Sequence, residues 1–171
     1  LTGFNGVPGR MEKIENNRDI IIIVDFACEP QPMDSCLTAV SHLPHNKLVH
    51  VFGSTGGGRD VAKRFSFGAS SVRVADTVII TNDDVYDSDP AVIAANIREG
   101  ADKVPAAEQH ATEVITILDR REAINKALSM AQSGDIVLIT GKGSEQFLSL
   151  PGNKRIEWDD RTVVREELAK L

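Results

Sequence analysis

Residues 20–26 read Ile-Ile-Ile-Ile-Val-Asp-Phe, a run with no polar residue until Asp25. A strand with one wet face alternates apolar and polar side chains; an unbroken β-branched run instead fits a parallel sheet covered by helices on both faces. Four further runs of this kind follow, at 47–52, 77–81, 114–118 and 136–140. The stretches between them, 33–43, 60–69, 90–98 and 121–132, place apolar residues at helical spacing. Asp89 before Pro90 reads as an N-cap with proline at the first helical position, and Gly100 as the stop of that helix. Asp119 caps the next helix, in which Ala123, Ile124, Ala127, Leu128 and Ala131 fall on one face before Ser133-Gly134. A last strand at 154–158 leads into a helix at 161–170 capped by Asp159 or Asp160. The alternation predicts an α/β fold: a Rossmann-like three-layer sandwich with a mostly parallel sheet of about six strands.

The chain has 171 residues, 42% of them hydrophobic, enough for one core. A net charge of −6 opposes binding along a phosphate backbone, so nucleic acid is not an expected partner. Cys28 and Cys36 fit neither a CxxC pair nor a zinc site and read as free thiols of a reducing compartment. No apolar run approaches the roughly 20 residues that span a bilayer, so no membrane association and a cytoplasmic location are expected. The chain starts at Leu1, and its first ten residues hold three glycines and a proline without apolar periodicity. Residues 1–14 therefore read as a linker or the end of an upstream domain, and 15–171 as one domain.

In open α/β sheets ligands bind beyond the carboxyl ends of the strands. The segments there are Asp25 to Pro30, Gly53 to Asp60, Asn82 to Tyr86, Asp119 to Arg121 and Gly141 to Glu145. The loop GSTGGGRD lets backbone N–H groups approach an anion at a helix start, and reads equally as a tight connection. Lys142, flanked by glycines, reads as exposed and mobile. Asp83 and Asp84 fit an ammonium group, water-bridged magnesium, or a solvated acidic pair. The histidines His42, His45, His50 and His110 lack ligand spacing and read as ordinary surface or loop residues. Cys28 has no histidine nearby in sequence to activate it and reads as a partly buried thiol.

Eight stretches of the chain, in this order, resemble the C-terminal domain of the Mur ligases, most closely the UDP-N-acetylmuramoyl-tripeptide synthetase group. They are GVPGRMEKI at 6–14, IVDFACEP at 23–30, VFGSTGGGRDVAKR at 51–64, ADTVIITNDD at 75–84, SDPAVI at 88–93, DRREAI at 119–124, GDIVLITGKGSE at 134–145 and WDDR at 158–161. The resemblance implies an ATP-dependent ligase that adds an amino acid to UDP-N-acetylmuramoyl-dipeptide through an acyl phosphate. ATP and magnesium would be held mainly by an upstream P-loop domain on which this one packs, so the domain alone would be catalytically incomplete. Carried over by position, Arg10 and Asp25 would contact ATP, and Arg59 would hold the carboxylate of the incoming amino acid. Gly141 and Glu145 would take its distal end, and Asp83, Asp84 and Tyr86 would form the selectivity loop. No metal ligand and no catalytic residue is assigned within the chain.

The departures concern the acceptor and, at Cys28 and Ser144, the nucleotide side. Where diaminopimelate-adding members show DNPR, this chain has Asp83-Asp84-Val85-Tyr86, which removes the arginine that would grip a second carboxylate. Cys28 and Ser144 stand where the family places histidines. Asp83, Asp84 and Glu145 together imply a cationic distal group, hence lysine or ornithine. The alternatives are another ligase of the superfamily, of folylpolyglutamate or cyanophycin synthetase type, and a non-catalytic module binding amino acid or nucleotide.

Overall fold

The structure is a computed structural model and describes residues 6–171. Eight strands and five helices follow one another as β1 (Glu12–Ile14), β2 (Ile21–Asp25), α1 (Pro30–Ser41), β3 (Leu48–Phe52), α2 (Ala62–Val72), β4 (Thr77–Ile80), α3 (Pro90–Asp102), β5 (Glu113–Thr116), α4 (Arg120–Met130), β6 (Ile136–Thr140), β7 (Phe147–Leu150), β8 (Lys154–Glu157) and α5 (Asp160–Leu168). Six strands form one sheet in the order β1-β2-β6-β3-β4-β5, with β2, β6, β3, β4 and β5 parallel and β1 antiparallel at the edge. The expected α/β sandwich is present. The apolar runs sit where sequence placed them because every residue of β3, β4 and β6 is buried.

The two faces carry separate cores. Met33 and Leu37 of α1, Phe67 of α2 and Ile93 and Ile97 of α3 pack on one face. Ala123, Ile124 and Leu128 of α4 with Val163 and Val164 of α5 cover the other. At roughly 25 cal/mol per Å² of apolar surface removed from water, this two-sided burial is the main stabilising contribution.

Sequence and structure differ at four points. The strand read at 154–158 leaves the main sheet: β8 pairs only with β7, which carries a mixed pattern and went unread. The sixth sheet position belongs to β1, whose residues 12–14 lie within the segment read as a linker. Gly100 does not end α3, which runs on to Asp102. A Cβ at Gly100 would overlap the backbone of Phe65, and one at Gly68 that of Ile97, so these glycines let α2 and α3 touch backbone to backbone. His50 is no surface residue: it is buried on β3, with Nδ1 2.8 Å from Ser71 Oγ and Nε2 3.0 Å from Thr140 Oγ1.

The helix caps hold. Asp89 accepts from Ala91 N–H, Asp119 from Glu122 N–H and Asp159 from both Arg161 and Thr162 N–H, each satisfying donors that the first turn leaves free. Among the described residues no helix is long and apolar enough to cross a membrane.

Candidate functional site

Because β6 lies between β2 and β3, the loops that follow β2, β3, β4 and β6 converge at one end of the sheet. They enclose a cleft of about 130 Å³ that Arg59, Asp83, Asp84, Tyr86, Gly141 and Glu145 all line. Six of the eight residues picked from sequence thus meet in one cavity. The other two, Arg10 and Asp25, line an adjacent cavity of about 300 Å³, and the two share Phe26, Cys28 and Glu29 as a common wall. A larger groove of about 490 Å³ between the β7–β8 hairpin and helices α4 and α5 contains none of the eight.

The loops are held by contacts that demand specific residues. Gly9 and Gly143 both have positive φ and face each other: a Cβ on Gly9 would overlap Ser144 N, and one on Gly143 would come 2.8 Å from Gly9 O. The segment before β1 is thereby seated on the loop after β6. Asp25 tightens the same junction, accepting from Met11 N–H and Ala27 N–H at 2.7 Å each. Its carboxylate fixes the backbone around the second cavity. Arg10 extends over the Phe26 ring, its guanidinium carbon 4.2 Å from the centroid.

Arg120 supports the cleft from beneath. Its buried guanidinium pairs with Asp160 through Nε–Oδ1 at 2.8 Å and Nη2–Oδ2 at 2.7 Å. It also donates to Asn82 O after β4 and to Thr140 O at the end of β6. One side chain so ties two strand ends to α4 and α5. Sequence placed Arg120 in a strand-end segment and Asp160 as a candidate cap, but gave no sign of their pairing, because they lie 40 positions apart.

Behind the cleft wall, Lys142 corrects the expectation of an exposed, mobile lysine. It is 1% exposed, and its ammonium sits 2.9 Å from Asp84 Oδ1 and 2.6 Å from Glu145 Oε2. Burial works against its charge, but Asp83, Glu145 and Asp84 outweigh this and raise its pKa. Asp84 Oδ1 accepts in addition from Ser149 N–H at 2.7 Å. The acidic group read as free to bind a cationic acceptor is therefore already partly neutralised from inside. Asp83 behaves differently, with no ion pair among the described residues. Burial pushes its carboxyl above the ordinary value against the pull of Arg120 and Lys142, and it abuts Gly141, where a Cβ would stand 2.5 Å from Oδ2.

The cation of the cleft without such a partner among the described residues is Arg59, exposed at the rim. Lys63, by contrast, is buried and held by Glu29 Oε1 at 2.8 Å and Cys28 O at 3.2 Å. Cys28 is half-buried and free, and burial together with Asp83 raises its thiol pKa, so it is no ready nucleophile. Tyr86 has φ 52°, and its ring lies against Gly57, where a Cβ would stand 2.9 Å from it. The glycine-rich loop is thereby stacked on the loop that follows β4. Glu29 and Thr55 lie in strand-end segments that the sequence marked, and Lys63 just beyond one, but the sequence did not show that Lys63 is paired within the protein. Glu29 and Lys63 pair across 34 positions, and nothing local marks the pair.

Residues 9–143 match the family described as Mur ligase, glutamate ligase domain. The chain belongs to this family. The UDP-N-acetylmuramoyl-L-alanyl-D-glutamate–2,6-diaminopimelate ligase of Streptomyces coelicolor is 39% identical over 96% of this chain and 32% of its own length. That of Synechococcus elongatus is 41% identical over 98% and 32%. A solved structure of a ligase with the same description superposes with a TM-score of 0.83 at 33% identity, over 96% of this chain and 32% of that one. The chain thus spans about a third of the curated relatives it matches. Folylpolyglutamate synthase from Mycobacterium tuberculosis, at 23% identity and TM-score 0.53, shares the fold alone.

Proposed function

We propose that this chain is the amino-acid-binding domain of an ATP-dependent ligase that joins an amino acid to UDP-N-acetylmuramoyl-dipeptide in peptidoglycan synthesis. The observation that carries this reading is the single cleft formed by Arg59, Asp83, Asp84, Tyr86, Gly141 and Glu145, in a chain related along its length to ligases of that name. Arg59 receives the α-carboxylate: a guanidinium fork without an internal partner suits bidentate pairing. Glu145 and the backbone at Gly141 take the distal polar end. Held this way, the amine points toward the neighbouring cavity, where Arg10 and Asp25 face the nucleotide.

ATP is the energy source of such ligases, and magnesium neutralises its phosphates when bound. We assign the ligands of this magnesium to the upstream domain rather than to residues of this chain. Residues 1–14 connect this domain to the upstream ATPase domain, their last three residues being also the edge strand β1. The relatives' names and the partial neutralisation of Asp84 and Glu145 by Lys142 favour 2,6-diaminopimelate over lysine or ornithine.

The test is phosphate release by the full-length enzyme with UDP-N-acetylmuramoyl-dipeptide, ATP, magnesium and each of diaminopimelate, lysine and ornithine. Release dependent on diaminopimelate supports the reading. Release with lysine or ornithine alone reverses the choice of acceptor, and none with any of the three overturns the ligase assignment.

A further inference from the structure

The cleft holds an ammonium group that no ligand brings. Asp84 and Glu145 come from loops after two different strands, β4 and β6, and both reach the same Lys142 nitrogen, at 2.9 and 2.6 Å. Lys142 is 1% exposed and does not line the cavity, whereas both its partners do. It therefore acts on a ligand through them. Without it, two carboxylates facing one small cavity would stand uncompensated beside buried Asp83, and an acceptor's own carboxylate would be repelled at its distal end. With it, two negative charges are reduced to one, leaving the free oxygen of Glu145 for a distal ammonium and easing the approach of a neighbouring carboxylate. The arrangement matters more here because position 86 offers a tyrosine, whose phenol brings no positive charge to a carboxylate.

We infer that Lys142 is the residue that sets the charge selectivity of the acceptor cleft, allowing an amino acid whose distal end carries both an ammonium and a carboxylate and reducing preference for one ending in a lone cation. Lys142 is a positioning residue, and the inference rests on the amino-acid-binding reading above.

The measurement is the ratio of kcat/KM for diaminopimelate to that for lysine in the full-length ligase. Lys142→Met should lower this ratio by about 10-fold, through the KM of the amino acid and without change in the KM for ATP. Adding Asp84→Asn to Lys142→Met restores one net negative charge and should return the ratio toward wild type. Glu145→Gln keeps the Lys142–Asp84 pair and should move the ratio the opposite way, which tests the inference even if Lys142→Met fails to fold. A purely structural role would weaken both amino acids equally; an unchanged ratio in Lys142→Met and Glu145→Gln overturns the inference while leaving the ligase reading intact. A wild-type enzyme that turns over neither amino acid overturns both.

Discussion

Arg59 and Arg120 show how the same residue type takes opposite roles according to its partners. Arg59 is exposed at the cleft rim without an ion pair among the described residues, so its charge is available to a ligand. Arg59→Ala in the full-length enzyme should raise the KM for the amino acid by about 10-fold or more and leave that for ATP unchanged, since a charge-assisted pair contributes roughly 1.5–3 kcal/mol. An unchanged amino-acid KM would remove the carboxylate role. Arg120 is spent on the protein itself, its four hydrogen bonds going to Asp160, Asn82 O and Thr140 O. Replacing one partner of such a pair leaves a buried charge, so Asp160→Asn should cost about 3–5 kcal/mol in urea unfolding. Trp158, whose indole donates to Asp160 Oδ1 at 2.9 Å, is the only tryptophan and reports the change by fluorescence. The cost is structural; the cleft depends on it because Arg120 braces the ends of β4 and β6.

At the level of elements, helix α2 meets α3 through glycines. Alanine at Gly68 or Gly100 would favour each isolated helix by about 1 kcal/mol, yet its methyl would overlap the backbone of the opposite helix. Overpacking against rigid backbone wins, so Gly68→Ala should destabilise by about 1–3 kcal/mol in denaturant unfolding. A stabilised variant would mean that the helices can slide apart. The reading of Gly100 as a helix stop failed for this reason: glycine after an apolar run is the signal for both a C-cap and a close crossing, and only the neighbouring helix distinguishes them. Strand β7, and with it the pairing of β8, escaped reading for a related one. The hairpin is outside the doubly covered sheet, so its residues obey no continuous apolar pattern.

For the whole molecule, folding confines His50 between the sheet and α2. Burial, reinforced by the positive Arg120, lowers its imidazole pKa from 6.5 to about 3. Between those values the unfolded chain binds a proton that the folded chain excludes. Stability from this group is therefore complete above pH 6.5 and is lost as pH falls toward 3, with a slope approaching about 1.4 kcal/mol per pH unit. His50→Gln, able to keep bonds to Ser71 and Thr140, should reduce the slope of unfolding free energy against pH by that amount over this window. An unaltered slope would show that His50 is protonated in the folded state.

The sequence by itself determined the sheet's interior strands, the helices between them, the capping aspartates and the set of loops at one end. Each of these is written in neighbouring residues: β-branched runs, helical spacing, and short polar side chains one turn from the donors they satisfy. Eight motifs in order also carried the family. Only the tertiary structure decided that six loop residues share one cavity, that Lys142 pairs with both Asp84 and Glu145, that Arg120 reaches Asp160, and that His50 is buried. These depend on through-space pairs distant in sequence or on strand order, and a charge has no periodicity that announces its partner. The residues of the site were legible as types; their electrostatic state was decided by packing.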